Sequence, residues 1–256
     1  MFNLYWTALK SLTIKESRRY LRIWVQTLVP PVITTSLYFL IFGKMIGGRI
    51  GEMDGVSYMA FIVPGLIMMS VITSSYANVS SSFFSQKFQK NIEELLVAPV
   101  PTHIIILGFV FGGVGRSLLV GGLVTLVSLF FVPLHVYSWG IILATVLLTA
   151  ITFSLAGLIN GVFARTYDDV SIVPTFVLQP LTYLGGVFYA ISTLPSFWQA
   201  VSKFNPIVYM ISGFRYGFLH KGDMSIYLSL GILLGLVVVL YGVSYYLIQK
   251  GRGLRS

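Results

Sequence analysis

The sequence predicts an all-α membrane protein with six transmembrane helices, and two observations lead to that prediction. Hydrophobic residues make up 56% of the 256 residues, whereas only 10% are charged; a soluble globular domain carries about 25% charged residues. The apolar residues also fall into blocks long enough to cross a bilayer, which takes about 20 residues of helix. A transmembrane β-barrel would show short alternating segments, but the stretch 229–248 is apolar on every face.

The predicted spans belong to one transmembrane domain that covers residues 1–256. They lie at about 24–42, 58–84, 103–132, 139–163, 172–189 and 226–248. With six spans both termini share one side, and 11 of the 17 lysines and arginines fall on that side while five fall on the other. Basic residues are in excess in cytoplasmic loops, so we expect both termini in the cytoplasm. The first span has no small-residue cleavage site, so we expect it to be retained.

The segment before the first span predicts an amphipathic helix that lies on the cytoplasmic leaflet. Tyr5, Leu9 and Leu12 recur at helical spacing. The basic residues of this segment are Lys10, Lys15, Arg18, Arg19 and Arg22. A basic amphipathic helix binds the interface of an anionic leaflet, and a disordered basic tail is the alternative. Within the first span, Pro30 and Pro31 predict a kink or an irregular start.

Two outer segments lead to different predictions. Residues 43–55 are rich in glycine and charge, which predicts a mobile connector. Residues 192–223 are too polar to span the membrane but rich in aromatic residues, and helix breakers at Pro195 and Asn205-Pro206 predict two short outer half-helices. The aromatic side chains expected at headgroup level are Trp198, Phe204, Tyr209, Phe214 and Tyr216.

Several classes of functional site lack the residues they need. A phosphate-binding loop requires G-x-x-x-x-G-K-[ST], and Gly43-Lys44 is followed by methionine, so we expect no ATP site, cofactor or metal in this chain. The histidines lie at span ends and cysteine is absent, which argues against haem, metal and intramembrane hydrolysis. We attribute the net charge of +9 to lysines and arginines that set the orientation of the protein in the membrane and contact anionic lipid, rather than to nucleic-acid binding.

The acidic residues are expected in loops or interfaces, which weakens the prediction of a proton-coupled carrier. They are Glu16, Glu52, Asp54, Glu93, Glu94, Asp168, Asp169 and Asp223. Arg116 is the exception among charged residues, because it lies about midway along the third span. An arginine at that depth costs about 2.5 to 3.5 kcal/mol, so it should face the protein interior or a watery cavity.

Two hypotheses for Arg116 remain open. It contacts an anionic substrate or acts as a gate, or it is a buried arginine satisfied by neighbouring carbonyls and by hydroxyls such as that of Ser117. Glycine pairs four residues apart let helix backbones approach closely, either within one subunit, which is favoured, or between two copies. The predicted spans contain three such pairs, Gly108 with Gly112, Gly157 with Gly161, and Gly231 with Gly235.

The stretch FQKNIEELLVAPVPT, residues 88–102, predicts a short helix across the cytoplasmic ends of the second and third spans. Its apolar face is formed by Phe88, Ile92, Leu95 and Leu96. Its polar face carries Lys87, Lys90, Asn91, Glu93 and Glu94. Pro99 and Pro101 then end the helix. The apolar face rests on lipid or span ends, or it docks into a groove of a soluble partner.

Two motifs resemble the permease subunits of ABC-2 type ATP-binding-cassette transporters. The run IEELLVAPV, residues 92–100, is similar to the family's pattern of leucine, glutamate, any residue, two leucines, small residues and proline. Glu93 matches the glutamate, and Lys90-Asn91 stands where the family frequently has Gly-Thr. The run NPIVYMISGFRYG, residues 205–217, resembles the family's Asn-Pro and arginine pattern before the last span, with Asn205, Pro206 and Arg215 in those positions.

The resemblance implies a half-size permease of an exporter in the bacterial inner membrane. Such a permease pairs with itself and with two copies of a separate ATPase subunit, which binds ATP and Mg²⁺; the permease chain is not itself an enzyme. Residues 88–96 would then be the cytoplasmic coupling helix that contacts the ATPase. A six-span secondary carrier or channel without an ATPase is the alternative.

Overall fold

The computed structural model of the protein describes residues 2–253, without the side chains of Phe2, Asn3 and Leu96. The described chain is mostly helical. Its α-helices are α1 (Phe2–Arg22), α2 (Trp24–Thr27), α3 (Val29–Tyr38), α4 (Gly47–Ile50), α5 (Tyr58–Phe88), α6 (Asn91–Val97), α7 (Thr102–Ser128), α8 (Trp139–Phe163), α9 (Tyr167–Val173), α10 (Gln179–Tyr183), α11 (Ser196–Ser202), α12 (Pro206–Leu219) and α13 (Ile226–Lys250). The other elements are π-helical segments at Phe39–Ile46 and Pro174–Leu178, a 3₁₀ turn at Ile191–Thr193, and an antiparallel hairpin of β1 (Glu52–Met53) and β2 (Val56–Ser57).

Within residues 2–253, five helical stretches are long and apolar enough to cross a membrane. They are Trp24–Ile50, Tyr58–Phe88, Thr102–Ser128, Trp139–Phe163 and Ile226–Lys250. The all-α class is therefore confirmed, and five of the six predicted spans correspond to these helices. α11 and α12 occupy the outer segment in which two short helices were predicted.

Two predicted boundaries were wrong. The connector predicted over residues 43–55 is helical as far as Ile50, and the helix ends only where Gly51 takes a φ of 76°. The third span was expected to reach residue 132, but α7 ends at Ser128, and a short turn over residues 129–132 leads to Pro133. Proline cannot continue a helix because it lacks the backbone N–H group.

Loops predicted to be cytoplasmic lie together at one end of the bundle, which we call the inner end. Lys87, in the last turn of α5, donates to the carbonyl oxygens of Val162 (2.6 Å) and Ala164 (2.9 Å). These carbonyls have no helical donors because α8 ends there, so the ammonium group caps the helix. A Cβ atom on Gly253 would also lie 3.1 Å from the carbonyl of Val162, so the C-terminal segment reaches the same end.

Segments predicted to face outward lie at the opposite end, which we call the outer end. The Lys221 ammonium group donates to the carbonyl oxygen of Asp54, so the loop before α13 contacts the β-hairpin. The ring of Tyr137, in the loop between α7 and α8, lies 3.9 Å from the ring of His220. Both contacts join loops that the six-span topology places on one side.

The predicted fifth span, residues 172–189, is a shorter helix than the other five. It starts earlier, at Tyr167, and its continuous helical part ends at Tyr183. The ring of Tyr167 lies 4.9 Å from that of Phe84 near the inner end of α5. At the outer end of α5, the Tyr58 hydroxyl donates to the carbonyl of Phe188 (3.0 Å). The segment therefore runs along the whole of α5, which favours a sixth crossing; that crossing stays a prediction.

Two of the three glycine pairs pack helices within the subunit, as favoured from the sequence. The first pair lies against α1 and the second lies against α5, where a Cβ atom on Gly157 would be 2.5 Å from the carbonyl oxygen of Tyr76. The third pair, on α13, has no described atom within 4 Å of its Cβ positions. α5 is buried over most of its surface and forms the centre of the core.

We expect Gly157→Ala to destabilise the protein by about 1–3 kcal/mol, the usual cost of overpacking a core. The added methyl group meets a backbone oxygen, which cannot rotate away as a side chain does. Thermal unfolding in detergent measures the effect. Gly231→Ala, the same change on α13 in open space, is the control, and we expect it to stay within about 0.5 kcal/mol of the parent. If the two variants unfold at the same temperature, the packing argument is contradicted.

Candidate functional site

The predicted coupling helix lies at the corner between α5 and α6. α5 continues through Phe88, and α6 begins at Asn91. Between them Lys90 has a φ of 61°, in the left-handed region. The prediction of one continuous helix over residues 88–96 was therefore wrong: Phe88 ends α5, and Lys90 precedes the first turn of α6. The Gly-Thr of the motif suits this geometry, because glycine adopts positive φ without the steric cost that lysine bears.

The predicted apolar anchors divide between the interior and the surface. Ile92 is only 1% exposed and packs in the core, so its prediction as a contact for a partner was wrong. Leu95 is half-buried against the core, and the side chain of Leu96 lies outside the described residues. Phe88, in contrast, is 61% exposed, and Val97 is 86% exposed. The short α6 rests on its own subunit through Ile92 and presents other residues outward.

The outward surface of this corner is apolar with an acidic border. Glu93 and Glu94 are exposed on α6. The ring of Phe88 packs 5.3 Å from the ring of Tyr167, which is the first residue of α9 and is 55% exposed. With Val97, these residues form a surface that we call the α5–α6 patch: Phe88, Glu93, Glu94, Val97 and Tyr167.

Tyr167 is held in the patch by a capping box at the start of α9. The Thr166 hydroxyl accepts from the N–H of Asp169 (3.2 Å), and the Asp169 carboxylate accepts from the N–H groups of Arg165 (2.8 Å) and Thr166 (3.0 Å). These backbone donors hold the pKa of the Asp169 carboxyl below its usual range. Sequence reasoning missed Tyr167, although the Thr-x-x-Asp spacing is the signal of such a helix start.

The N-terminal helix α1 binds α5 through a buried polar cluster. The Glu16 carboxylate is buried to 1% exposure and accepts from Ser82 (2.8 Å) and Gln86 (3.2 Å). It also pairs with Arg19 at 3.3 Å, and Arg19 donates to the backbone and side-chain oxygens of Asn78 (2.9 and 2.8 Å). The expectation placed Glu16 in a loop or interface; the structure shows that it is buried within the protein, where the facing helix supplies its donors, and its depth in the membrane stays a prediction.

The other basic residues predicted for α1 remain at the surface. Lys15, Arg18 and Arg22 are exposed, and Lys15 also donates to the side-chain oxygen of Gln86 (3.1 Å). Their positions leave them free to meet anionic lipid, which stays a prediction. α1 is thus helical as predicted, and one of its faces is occupied by protein rather than by the leaflet.

Arg116 contacts a carbonyl group that the prolines of the first span leave without a donor. Pro31 has no N–H group, so the carbonyl of Thr27 lacks the bond that a continuous helix would supply. Arg116 Nη2 donates to that oxygen at 3.3 Å. The hydroxyl of Ser117 instead donates to the carbonyl of Val114 (3.0 Å), so it is not the group that satisfies the arginine.

A cavity of about 340 Å³ lies beside Arg116, between α5, α7 and the first part of the predicted fifth span. Its polar lining consists of Arg116, Ser80, Ser81, Ser171 and Thr175. The Nε atom of Arg116 is buried and has no hydrogen-bond partner among the described residues. A guanidinium group with free donors, surrounded by hydroxyl groups, is a suitable environment for an anion.

The Asn-Pro motif begins α12 and ties it to the end of α10. The Asn205 side-chain oxygen accepts from the N–H of Ile207 (3.0 Å), and its Nδ2 donates to the carbonyl of Leu181 (2.7 Å). Pro206 takes the first position of the helix, where its missing N–H group has no partner to lose. The motif therefore positions α12 against the predicted fifth span.

Arg215 joins three separate segments at the outer end. Its guanidinium, 1% exposed, donates to the carbonyls of Phe61 (3.3 Å) and Gly186 (2.6 Å) and to the carboxylate of Asp223 (3.0 Å). It also lies 3.7 Å from the centre of the Phe61 ring. Asp223 accepts a further bond from the N–H of Ile191 (2.9 Å). Sequence reasoning placed Asp223 in a loop and missed it as the partner of Arg215.

Two of the aromatic residues expected at headgroup level lie in the core instead. Tyr209 and Phe214 are buried, whereas Trp198 and Phe204 are exposed. α12 packs against α5, α8 and α13, and most of its residues are buried. Aromatic content alone does not distinguish the two faces of a helix that is partly enclosed by others.

Comparison with known proteins extends the resemblance over most of the chain. The family model described as ABC-2 type transporter matches residues 7–219, which include both motifs. Inner membrane transport permease YadH of Escherichia coli (strain K12) is 66% identical over 256 residues, 100% of both chains. Nodulation protein J of Rhizobium leguminosarum bv. viciae is 25% identical over 224 residues, which are 87% of this chain and 85% of that protein.

Proposed function

Because this chain belongs to the ABC-2 type transporter family, we propose that it forms half of the membrane path of an ATP-driven exporter. It is a multi-pass inner-membrane protein and a transport permease by these relationships. The proposal adds that two copies of the chain surround the path, that two copies of a separate ATPase subunit drive it, and that substrate moves outward.

The observation that carries the proposal is the α5–α6 patch. Its aromatic and aliphatic side chains are exposed at the inner end, and two glutamates border them. Apolar anchors with a polar border are what a helix-docking site requires. Permeases of this family work with an ATPase subunit, and this chain has no phosphate-binding loop. ATP and Mg²⁺ would therefore bind to the partner, and the patch is the surface on which the partner docks.

The arrangement of the inner end supports transmission from the patch into the membrane. α6 packs on α5 through Ile92, and α5 holds α1 through Glu16 and Arg19. Tyr167 belongs to the patch and also starts the segment that lines the cavity beside Arg116. Movement of a docked ATPase would thus act on α1, α5 and the predicted fifth span together.

Copurification tests the proposal. The tagged chain is coexpressed with a candidate ABC ATPase subunit from the same organism, extracted in a mild detergent and examined by native mass spectrometry. We expect a complex of two permease and two ATPase chains, and no ATPase on a tagged six-span carrier treated in the same way. A permease that never retains the ATPase would instead support a secondary carrier or channel.

A further inference from the structure

We propose that the cavity beside Arg116 binds the anionic group of an amphiphilic substrate. The cavity lies between α5, α7 and the segment that starts with α9. That the bound molecule is a transported substrate rests on the proposed function. The anion site itself depends on the residues around Arg116 and can be tested on the permease alone.

The local charge balance favours an anion. Arg19 lies close enough to Arg116 for the two positive charges to repel each other. Glu16 pairs with Arg19 at 3.3 Å, and no carboxylate of the described residues lies within 4.0 Å of Arg116. Of these two guanidinium groups only that of Arg19 is paired with a carboxylate, and an unpaired charge is costly where it is buried. A bound anion would supply the missing negative charge.

The donors of Arg116 are only partly used. A guanidinium group carries five N–H donors in a planar fork. In the described part of the chain, Arg116 makes one hydrogen bond, from Nη2 to the Thr27 carbonyl, and its buried Nε has no partner. A phosphate or carboxylate oxygen is the acceptor for which this fork is best suited. Supporting the Thr27 carbonyl and binding an anion are therefore compatible roles.

The wall opposite Arg116 is fixed in place and provides hydroxyl groups. Pro174 leaves the carbonyl of Val170 without its helical donor, and Asn160 Nδ2 donates to that oxygen (3.1 Å). The π-helical segment begins at Pro174 and carries Thr175, while Ser171 lies one turn earlier. Hydroxyl groups rotate freely and can donate to an anion. Ser171 and Thr175 are both exposed in the single subunit, so the cavity is accessible from the side on which they lie.

The same segment indicates that the rest of the ligand is apolar. Ile172, Phe176 and Val177, which neighbour the lining residues Ser171 and Thr175 in this segment, are exposed. A ligand that places its anionic group on Arg116 would lie with its remaining atoms along these side chains. A phosphate or a carboxylate attached to a hydrocarbon chain meets both requirements, whereas a free inorganic anion meets only the first.

Binding to the purified permease tests the inference. The protein is placed in nanodiscs of zwitterionic phosphatidylcholine, and three probes are titrated: phosphatidylglycerol, dodecanoate and inorganic phosphate. For Arg116→Gln we expect roughly 10- to 100-fold weaker binding of the amphiphilic probes, the effect of losing one charge-assisted hydrogen bond. Arg18→Gln, an exposed arginine of α1, is the control for general attraction to anions and should leave binding within about twofold of the parent.

Two further variants separate anion binding from support of the Thr27 carbonyl. Arg116→Lys keeps the charge and a donor, so it should fold and retain part of the binding. Thr175→Val removes a lining hydroxyl without touching Arg116 and should weaken binding by roughly 3- to 10-fold, as expected for one neutral hydrogen bond. Normal binding in Arg116→Gln and in Thr175→Val would overturn the inference. If inorganic phosphate were the only probe whose binding depended on Arg116, the inference that the ligand is amphiphilic would be wrong.

Failure of this inference is distinguishable from failure of the proposed function. If the permease retains its ATPase but no probe binds in a manner that depends on Arg116, only the anion site is wrong. If the probes bind but no ATPase is retained, the site stands and the ATP-driven mechanism is wrong.

Discussion

Arg215→Ala is expected to cost about 3–5 kcal/mol of stability, the usual effect of removing one partner from a buried ion pair. The change leaves the Asp223 carboxylate, which is also buried, without the guanidinium 3.0 Å away. It also removes the donors to the carbonyls of Phe61 and Gly186. Thermal unfolding in detergent and the yield of monodisperse protein measure the loss, and we expect most of this variant to fail to fold.

Matched variants identify the cause. Arg215→Lys keeps the charge but cannot reach three acceptors in different directions, so it should be intermediate. Replacing both partners, Arg215→Met with Asp223→Leu, removes the unpaired charge and should recover part of the stability lost by Arg215→Ala. A double variant no more stable than Arg215→Ala would show that the carbonyl contacts, rather than the ion pair, dominate.

Glu93→Lys combined with Val97→Asp is expected to lower the affinity for the ATPase by at least tenfold, corresponding to about 1.4 kcal/mol. Both side chains are exposed in the α5–α6 patch, so membrane insertion and thermal stability should not change. The change reverses one charge on the border of the patch and places another in its apolar part. Binding to the purified ATPase and ATP hydrolysis by the assembled complex measure the result.

Two controls accompany this variant. Lys203→Glu reverses an exposed charge at the outer end and should leave ATPase binding unchanged. Ile92→Ala truncates the buried side chain of α6 and should lower stability by about 2–5 kcal/mol, because it acts on packing. If the double variant binds the ATPase as tightly as the parent does, the α5–α6 patch is not the docking surface.

Much of the fold was predictable because it depends on properties that lie along the chain. The length of an apolar block decides whether it spans a bilayer, and five predicted spans matched helices of sufficient length. Prolines at residues 30 and 31 predicted an irregular first span, and the helix is interrupted between Thr27 and Val29. The two motifs identified the family without any knowledge of contacts, because the spacing of residues within a short segment can be read directly from the sequence.

The candidate site was less predictable because its partners are distant in the chain. Arg116 bonds to Thr27, 89 residues away, and Arg215 bonds to Phe61, 154 residues away. α5 carries the polar side chains Asn78, Ser82 and Gln86 along one face, but its sequence does not indicate that their partners are on α1. The direction of Ile92 depends on the left-handed turn at Lys90, which the apolar pattern does not show.

The sequence alone determined that this is a helical membrane permease and that it lacks the G-x-x-x-x-G-K-[ST] motif, because composition, block length and local motifs require no knowledge of neighbours. The tertiary structure alone decided that Glu16 is buried and that Asp223 neutralises Arg215. It also decided that Ile92 faces inward while Tyr167 belongs to the outward patch, and that Arg116 has unused hydrogen-bond donors. Each of these depends on the rotation and depth of one helix relative to another. Those quantities are set by packing across the bundle rather than by the order of residues within any one helix.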